Sequence, residues 1–174
     1  MSKIYVDEIA GIASADTVAI PGHVIQVVQG TTSTGASITG SSYAESNLSA
    51  SITPSSTSSK ILVSVNQAVY MYTTSSASQI IAGIRLLRDS TAILEPYTDG
   101  TGPLEPYLEI TGGTAVYNSF RHTMQYLDSP NTTSSITYKT QGRLRNTGNG
   151  ATLQFQPQNN IDGTSTITLM EIAG

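Results

Sequence analysis

Apolar and polar residues trade places at every second position through much of this chain. The pattern is clearest in Tyr126–Arg145, YLDSPNTTSSITYKTQGRLR. Ile136, Tyr138, Thr140, Gly142 and Leu144 fall on one side; Thr137, Lys139, Gln141, Arg143 and Arg145 fall on the other. A period of two with one polar face marks an antiparallel strand that keeps that face wet. Asp128-Ser129-Pro130-Asn131 supplies turn chemistry, because Pro fixes φ and Asp, Ser and Asn bond their own backbone. The segment therefore predicts a hairpin, two strands around one turn.

The rest of the chain repeats this pattern. Lys3–Ile9 suits a short strand, then Gly11–Asp16 is loop-like and Pro21-Gly22 punctuates. Residues 1–20 predict an N-terminal arm whose apolar side chains, Ile4, Tyr5, Val6 and Ile9, need a partner to cover them; an extra edge strand is the alternative. His23–Gln29 is a strand apolar on both faces (Val24, Ile25, Val27, Val28), which predicts double burial. Gly30–Gly40 reads as a loop, Tyr43–Ile52 as a strand and Thr53–Ser59 as a turn. Lys60–Tyr72 is the strongest strand: Ile61, Val63, Val65, Val69 and Met71 share a face broken only by Gln67. Leu62, Ala68, Tyr70 and Tyr72 lie opposite.

Gln79–Arg88 fits a helix through Ile80, Ile84 and Leu87, or a strand through Ile80, Ala82, Ile84 and Leu86; Gly83 inside so short a segment favours the strand. Thr91–Leu94, Val116–Tyr126, Ala151–Phe155 and Thr164–Ala173 are further strands, and Glu95–Gly113 is a long excursion. In the last strand Ile167 and Leu169 share one face while Met170 and Ile172 share the other. That predicts a second buried surface, unless a bulge switches the strand's face. Roughly eight to ten short strands with no helix predict an all-β antiparallel sandwich or jelly roll over residues 21–174.

Composition narrows the classes. The 174 residues suit one domain with its own core. The absence of cysteine excludes disulfides and thiolate metal sites. Charged residues make up 11% of the chain, against about 25% in an ordinary globular protein. A net charge of −4 argues against nucleic acid as a partner. No apolar run approaches the ~18 residues of a membrane span, and the N-terminus lacks a signal-peptide pattern, so no membrane insertion is expected.

Candidate chemistry is sparse. His23 and His122 each sit alone in a strand, no phosphate-binding glycine loop is present, and no ligand-spaced metal set occurs. Neither an enzyme nor a cofactor is expected. Glu95-Pro96-Tyr97 recurs as Glu105-Pro106-Tyr107. Paired carboxylates can cleave a glycosidic bond only in a rigid cleft, and the turn formers between the two copies predict an open loop instead. Its Tyr97, Asp99 and Tyr107 suit contact with a partner, since tyrosines stack on sugar rings and carboxylates accept from sugar hydroxyls. The alternative is that the tyrosines cap the end of the sandwich. Lys139, Arg143 and Arg145 form a basic row with no aromatic residue among them. It reads as a solvated face, or as one that meets acids of a neighbouring subunit.

Four segments carry a family likeness. YLDSPNTTSSITYK (Tyr126–Lys139), PGHVIQVVQ (Pro21–Gln29), ITPSSTSSKILV (Ile52–Val63) and STITLMEIAG (Ser165–Gly174) resemble segments of small virion surface proteins of marine bacteriophages. The resemblance implies a jelly roll like that of tumour necrosis factor, with three chains associated. Val24, Val27, Met170 and Ile172 would then line the trimer interface, and Ile4, Tyr5, Val6 and Ile9 would dock the arm on another virion protein. It implies a knob on the virion surface, assembled in the host cytoplasm. The leading role is a short tail fibre or appendage for host attachment, with Tyr97, Asp99 and Tyr107 meeting host-surface glycans. A capsid decoration protein and a cellular carbohydrate-binding adhesin are the alternatives. An extended arm of this length spans at most ~70 Å, so the knob lies close to whatever holds it.

Overall fold

A computed structural model of the chain describes residues 22–74, 79–96, 104–109, 115–146, 150–157 and 163–174. These residues contain eleven strands and no α-helix. In chain order they are β1 (Val24–Thr32), β2 (Ala36–Ile38), β3 (Ala44–Ile52), β4 (Lys60–Thr73), β5 (Gln79–Arg88) and β6 (Thr91–Leu94). Then follow β7 (Tyr107–Glu109), β8 (Val116–Asp128), β9 (Ile136–Leu144), β10 (Thr152–Phe155) and β11 (Ser165–Ile172).

The strands form two antiparallel sheets packed as a β-sandwich. The six-stranded sheet runs β1-β11-β4-β10-β2, with β8 on the other edge of β4. The long β4 makes this possible: Lys60–Asn66 pairs with β11, Val69–Tyr72 with β10, and almost its whole length with β8. The five-stranded sheet runs β3-β9-β5-β6, and β7 also pairs with β5. Among the described pairings, only β5 with β6 joins strands adjacent in sequence. The core between the sheets is built from the predicted inward faces. Ile61, Val63, Val65, Val69 and Met71 of β4 and Ile167 and Leu169 of β11 meet Leu48, Ile84, Leu86, Tyr138 and Leu144 of the opposite sheet.

The predicted hairpin at Tyr126–Arg145 is not one. Both strands form, but β8 pairs with β4 in one sheet and β9 pairs with β3 and β5 in the other. The turn therefore crosses the sandwich. Its backbone is as the sequence suggests, with Asn131 at φ 53°, but local alternation specifies a strand and not its partner. Residues 30–40, expected as loop, contain the end of β1 and the short β2. Gln79–Arg88 is a strand. The residue that breaks the β4 face, Gln67, is fully buried and belongs to a polar belt across the core. Thr140 Oγ1 donates to Gln67 Oε1 at 3.0 Å, and Ser46 Oγ shares a hydrogen with Thr140 Oγ1 at 2.5 Å. Gln156, with its amide oriented to satisfy both ends, accepts from Gln67 Nε2 and Ser165 Oγ.

Within the single chain the first strand is not buried on both faces. β1 is an edge strand, and Val24, Ile25 and Val27 are exposed while Val28 packs on the core. A register shift between Val24 and Gln26 makes Ile25 an extra residue, so Val24 and Val27 lie on the same face. The bulge lies in this strand; β11 keeps its period unbroken against β4.

Candidate functional site

The two outer faces of the sandwich differ in kind. On the six-stranded sheet the pairings line up Val27, Met170, Leu62 and Leu127 in one row across four strands. Val24 and Ile172 stand beside this row as cross-strand partners. Val27 is 57% exposed and Leu127 49%, while Met170, Ile172 and Leu62 are half-buried. The next rows are uncharged and polar: Gln29, Thr168, Ser64 and Gln125, then Thr31, Thr166, Asn66 and Thr123. At the far end Tyr70, Tyr72 and Tyr117 gather with ring centroids 5.2–6.2 Å apart. Among the described residues only Lys60 and Arg121 bring charge to this face. The four predicted interface residues, Val24, Val27, Met170 and Ile172, are thus brought together. Leu62, Leu127 and the tyrosines were not predicted to join them. The sequence holds their signal, since Leu62, Tyr70 and Tyr72 occupy the outward parity of β4, but only the pairing with β8 adds Leu127 and Tyr117.

The outer face of the five-stranded sheet is charged. Lys139 and Arg143 of the basic row lie on β9 and Arg145 directly follows it, and the acids that meet Lys139 and Arg145 come from the same chain. Lys139 Nζ donates to Glu45 Oε1 at 2.7 Å, and Arg145 Nη1 to Glu105 Oε2 at 3.3 Å. Arg85, from β5, bonds the Gln141 side chain at 2.7 and 3.0 Å and pairs with Glu95 at 3.4 Å. The face is not free of aromatics either. Tyr43, just before β3, sits under two guanidiniums, with Arg85 Cζ 3.8 Å and Arg143 Cζ 4.8 Å from its ring centre. Burial raises the Tyr43 phenol above its ordinary pKa against the lowering pull of Arg143 and Arg85, so the hydroxyl stays protonated. A side chain at Gly83 would crowd this group, because its Cβ would stand 3.3 Å from each of Arg143 Nε, Tyr43 Oη and Pro96 Cγ.

Glu95 and Pro96 of the first Glu-Pro-Tyr copy and Glu105 of the second lie by that cluster. Glu105 is not on an open loop: its side chain is fully buried, and Leu104 and Pro106 bond the β5 backbone. Tyr107 lies in β7 opposite Ile81 and is 44% exposed. Tyr97 and Asp99, and the docking residues Ile4, Tyr5, Val6 and Ile9, lie outside the described residues. No protein-family model and no curated protein matches the chain. The two faces are therefore judged on their own chemistry. Among the described residues no three metal-ligating side chains converge, and no helix is long and apolar enough to cross a membrane.

Proposed function

We propose that this chain is a bacteriophage virion surface protein, a jelly-roll knob of the tumour-necrosis-factor type. Three copies associate through the outer face of the six-stranded sheet, and the assembly serves host attachment as a short tail fibre or appendage. Residues 1–20 dock it on the particle. The observation that carries self-association is the segregation of charge: among the described residues one outer face holds Arg143 and the ion-paired Arg85, Lys139 and Arg145, and the other only Lys60 and Arg121. A flat, nearly uncharged face with an apolar row and a tyrosine cluster has the composition of an interface centre. Strand order supports the jelly roll, since the chain passes repeatedly between sheets and pairs strands distant in sequence. The virion placement rests on the likeness of the four segments named above. Light scattering on the purified chain at micromolar concentration tests the assembly. A mass three times the 18.3 kDa of one chain is expected; a monomer mass removes the three-fold argument. Copy number in purified virions, by quantitative mass spectrometry, then separates the roles. A few trimers per particle fits an appendage, and a number matching the shell protein means decoration.

A further inference from the structure

We propose that a hollow on the outer face of the six-stranded sheet, with the tyrosine cluster beside it, binds a neutral oligosaccharide. This is independent of the virion reading. The hollow is made by missing side chains. Ser37, Gln154 and Tyr70 form one outward row across β2, β10 and β4, and Ser119 of β8 ends it. The next outward positions, one step beyond the Phe155–Ala36 pair, belong to Gln156 and Gly35. Gly35 has no side chain. Gln156, at φ 46°, is turned inward, fully buried and bonded to Gln67 and Ser165. Ala68 follows in β4, its carbonyl accepting from the Gln156 N–H at 3.1 Å, and it offers only a methyl group. The result is a hollow of about 130 Å³ whose lining includes Gly35, Ser37, Gln154, Gln156 and Pro157. A water needs ~10–15 Å³ of such space, so the hollow admits several waters or the edge of a sugar ring.

The chemistry selects the ligand class. Among the described residues no charged side chain lines the hollow. Gln154 Nε2 donates to Ser37 Oγ at 2.9 Å. That leaves the Gln154 carbonyl oxygen as an acceptor and the Ser37 hydroxyl as a donor. Such a pair matches the hydroxyls of a sugar, which give and take hydrogen bonds. The shoulder of the hollow is aromatic. Tyr70 is the cross-strand neighbour of Gln154. Its ring lies 5.2 Å from Tyr72 and 6.2 Å from Tyr117, with the three planes within 33° of one another. Tyr117 is 58% exposed. Exposed phenol rings suit a ligand with an apolar face and a polar rim, and a sugar ring has both. From Gln154 to Tyr117 is two strand spacings, about 10 Å, so the ligand is a chain of sugars. Of the two charges on this face, Lys60 stands at its other end and Arg121 donates to the Thr164 carbonyl. Neither lines the hollow, which favours a neutral sugar over an acidic one.

The test is an NMR titration of the ¹⁵N-labelled full chain, reading the Gln154 side-chain amide and the Tyr117 backbone signal. The probes are maltopentaose, cellopentaose, glucose and a galacturonic acid pentamer. Saturable shifts of both signals in the millimolar range are expected with a neutral pentamer, with glucose weaker and the acidic pentamer no tighter. Tyr117→Ala should bind about ten-fold more weakly, and Tyr117→Phe, which keeps the ring, should stay within about two-fold of the native chain. Unchanged melting curves show that the variants fold. Met170→Glu, in the apolar row about 26 Å along the sheet from Tyr70, should bind like the native chain, so loss of the trimer and loss of this site are read separately. No saturable shift with either neutral pentamer, tighter binding of the acidic pentamer, or an identical titration in Tyr117→Ala overturns the proposal. Binding by Met170→Glu but not by the native chain would place the tyrosines between copies and overturn it too.

Discussion

Gly142 marks a close approach between the sheets. A Cβ there would lie 2.6 Å from two ring carbons of Phe155 and 2.8 Å from Leu153 Cδ2. The Phe155 ring itself is fully buried and cannot swing out. Gly142→Ala should therefore destabilise the domain by about 1–3 kcal/mol, the usual cost of overpacking a core, read as a lower midpoint in urea unfolding. His122 makes a second residue-scale prediction. It points into the core from β8 opposite Gln67, and its Nε2 has no partner. Burial lowers its pKa below the ordinary value. The unfolded chain then takes up the proton first as pH falls. Its contribution is complete above the unfolded value, about 6.5, and is lost as pH falls toward the folded one. Glu45 and Glu171 act lower. Burial raises both carboxyls, but hydrogen bonds from Lys139 and Gln141, and from Ser55 and Gln26, outweigh it and hold them below the carboxylate range. Melting temperature should thus fall between about pH 7 and pH 5, and His122→Gln should flatten that part of the curve.

At the scale of elements, the crossing from β8 to β9 is fastened by Asp128, the last residue of β8. Arg88 Nη1 of β5 donates to its two oxygens at 3.1 and 2.9 Å, and Tyr138 Oη of β9 at 2.7 Å. One carboxylate of the six-stranded sheet thereby holds two strands of the other. Burial, then the bond to Asp128, pushes the Tyr138 phenol far above its ordinary pKa, so it remains a donor at any working pH. Asp128→Ala strands a buried hydroxyl and a part-exposed guanidinium. The expected cost is about 3 kcal/mol, the low end for breaking a buried pair, measured by chemical denaturation. β11 is tied in a similar way: Glu171, on its inward face, accepts from Ser55 N at 2.7 Å and Ser55 Oγ at 2.6 Å.

For the molecule as a whole, the asymmetry of the two faces is what the proposed assembly rests on. Met170 sits in the middle of the apolar row, flanked by Val27 and Leu62. Met170→Glu places an unpaired carboxylate there. In the single chain it is half-exposed and tolerable, but within an interface it would be desolvated at a cost of several kcal/mol. With the proposed trimer built on this face, the variant should sediment as a folded monomer at concentrations where the native chain sediments at three times its own mass. A Met170→Glu trimer would move the interface off this face. Arg143→Gln, on the opposite face, should leave the mass unchanged.

The sequence by itself determined the longer strands and, in β4, β9 and β11, their facing, but not the short β2 and β7. Alternation in β4, β9 and β11 identified Ile61, Tyr138 and Leu169 as inward and Leu62, Lys139 and Met170 as outward, because side-chain direction in a strand follows from parity alone. It also exposed Gln67 as the flaw in an apolar face, and the opposed apolar pairs of β11. Partners were decided only by the tertiary structure. Nothing local in Tyr126–Arg145 distinguishes a hairpin from a crossing, since the turn closes either way. Nothing in the basic row reveals that Tyr43, a hundred residues upstream of Arg143, lies beneath it, because β3 and β9 become neighbours through long-range pairing. The charged cluster and the four-strand apolar row are both products of register between distant strands, and parity sets a residue's face without setting its neighbours.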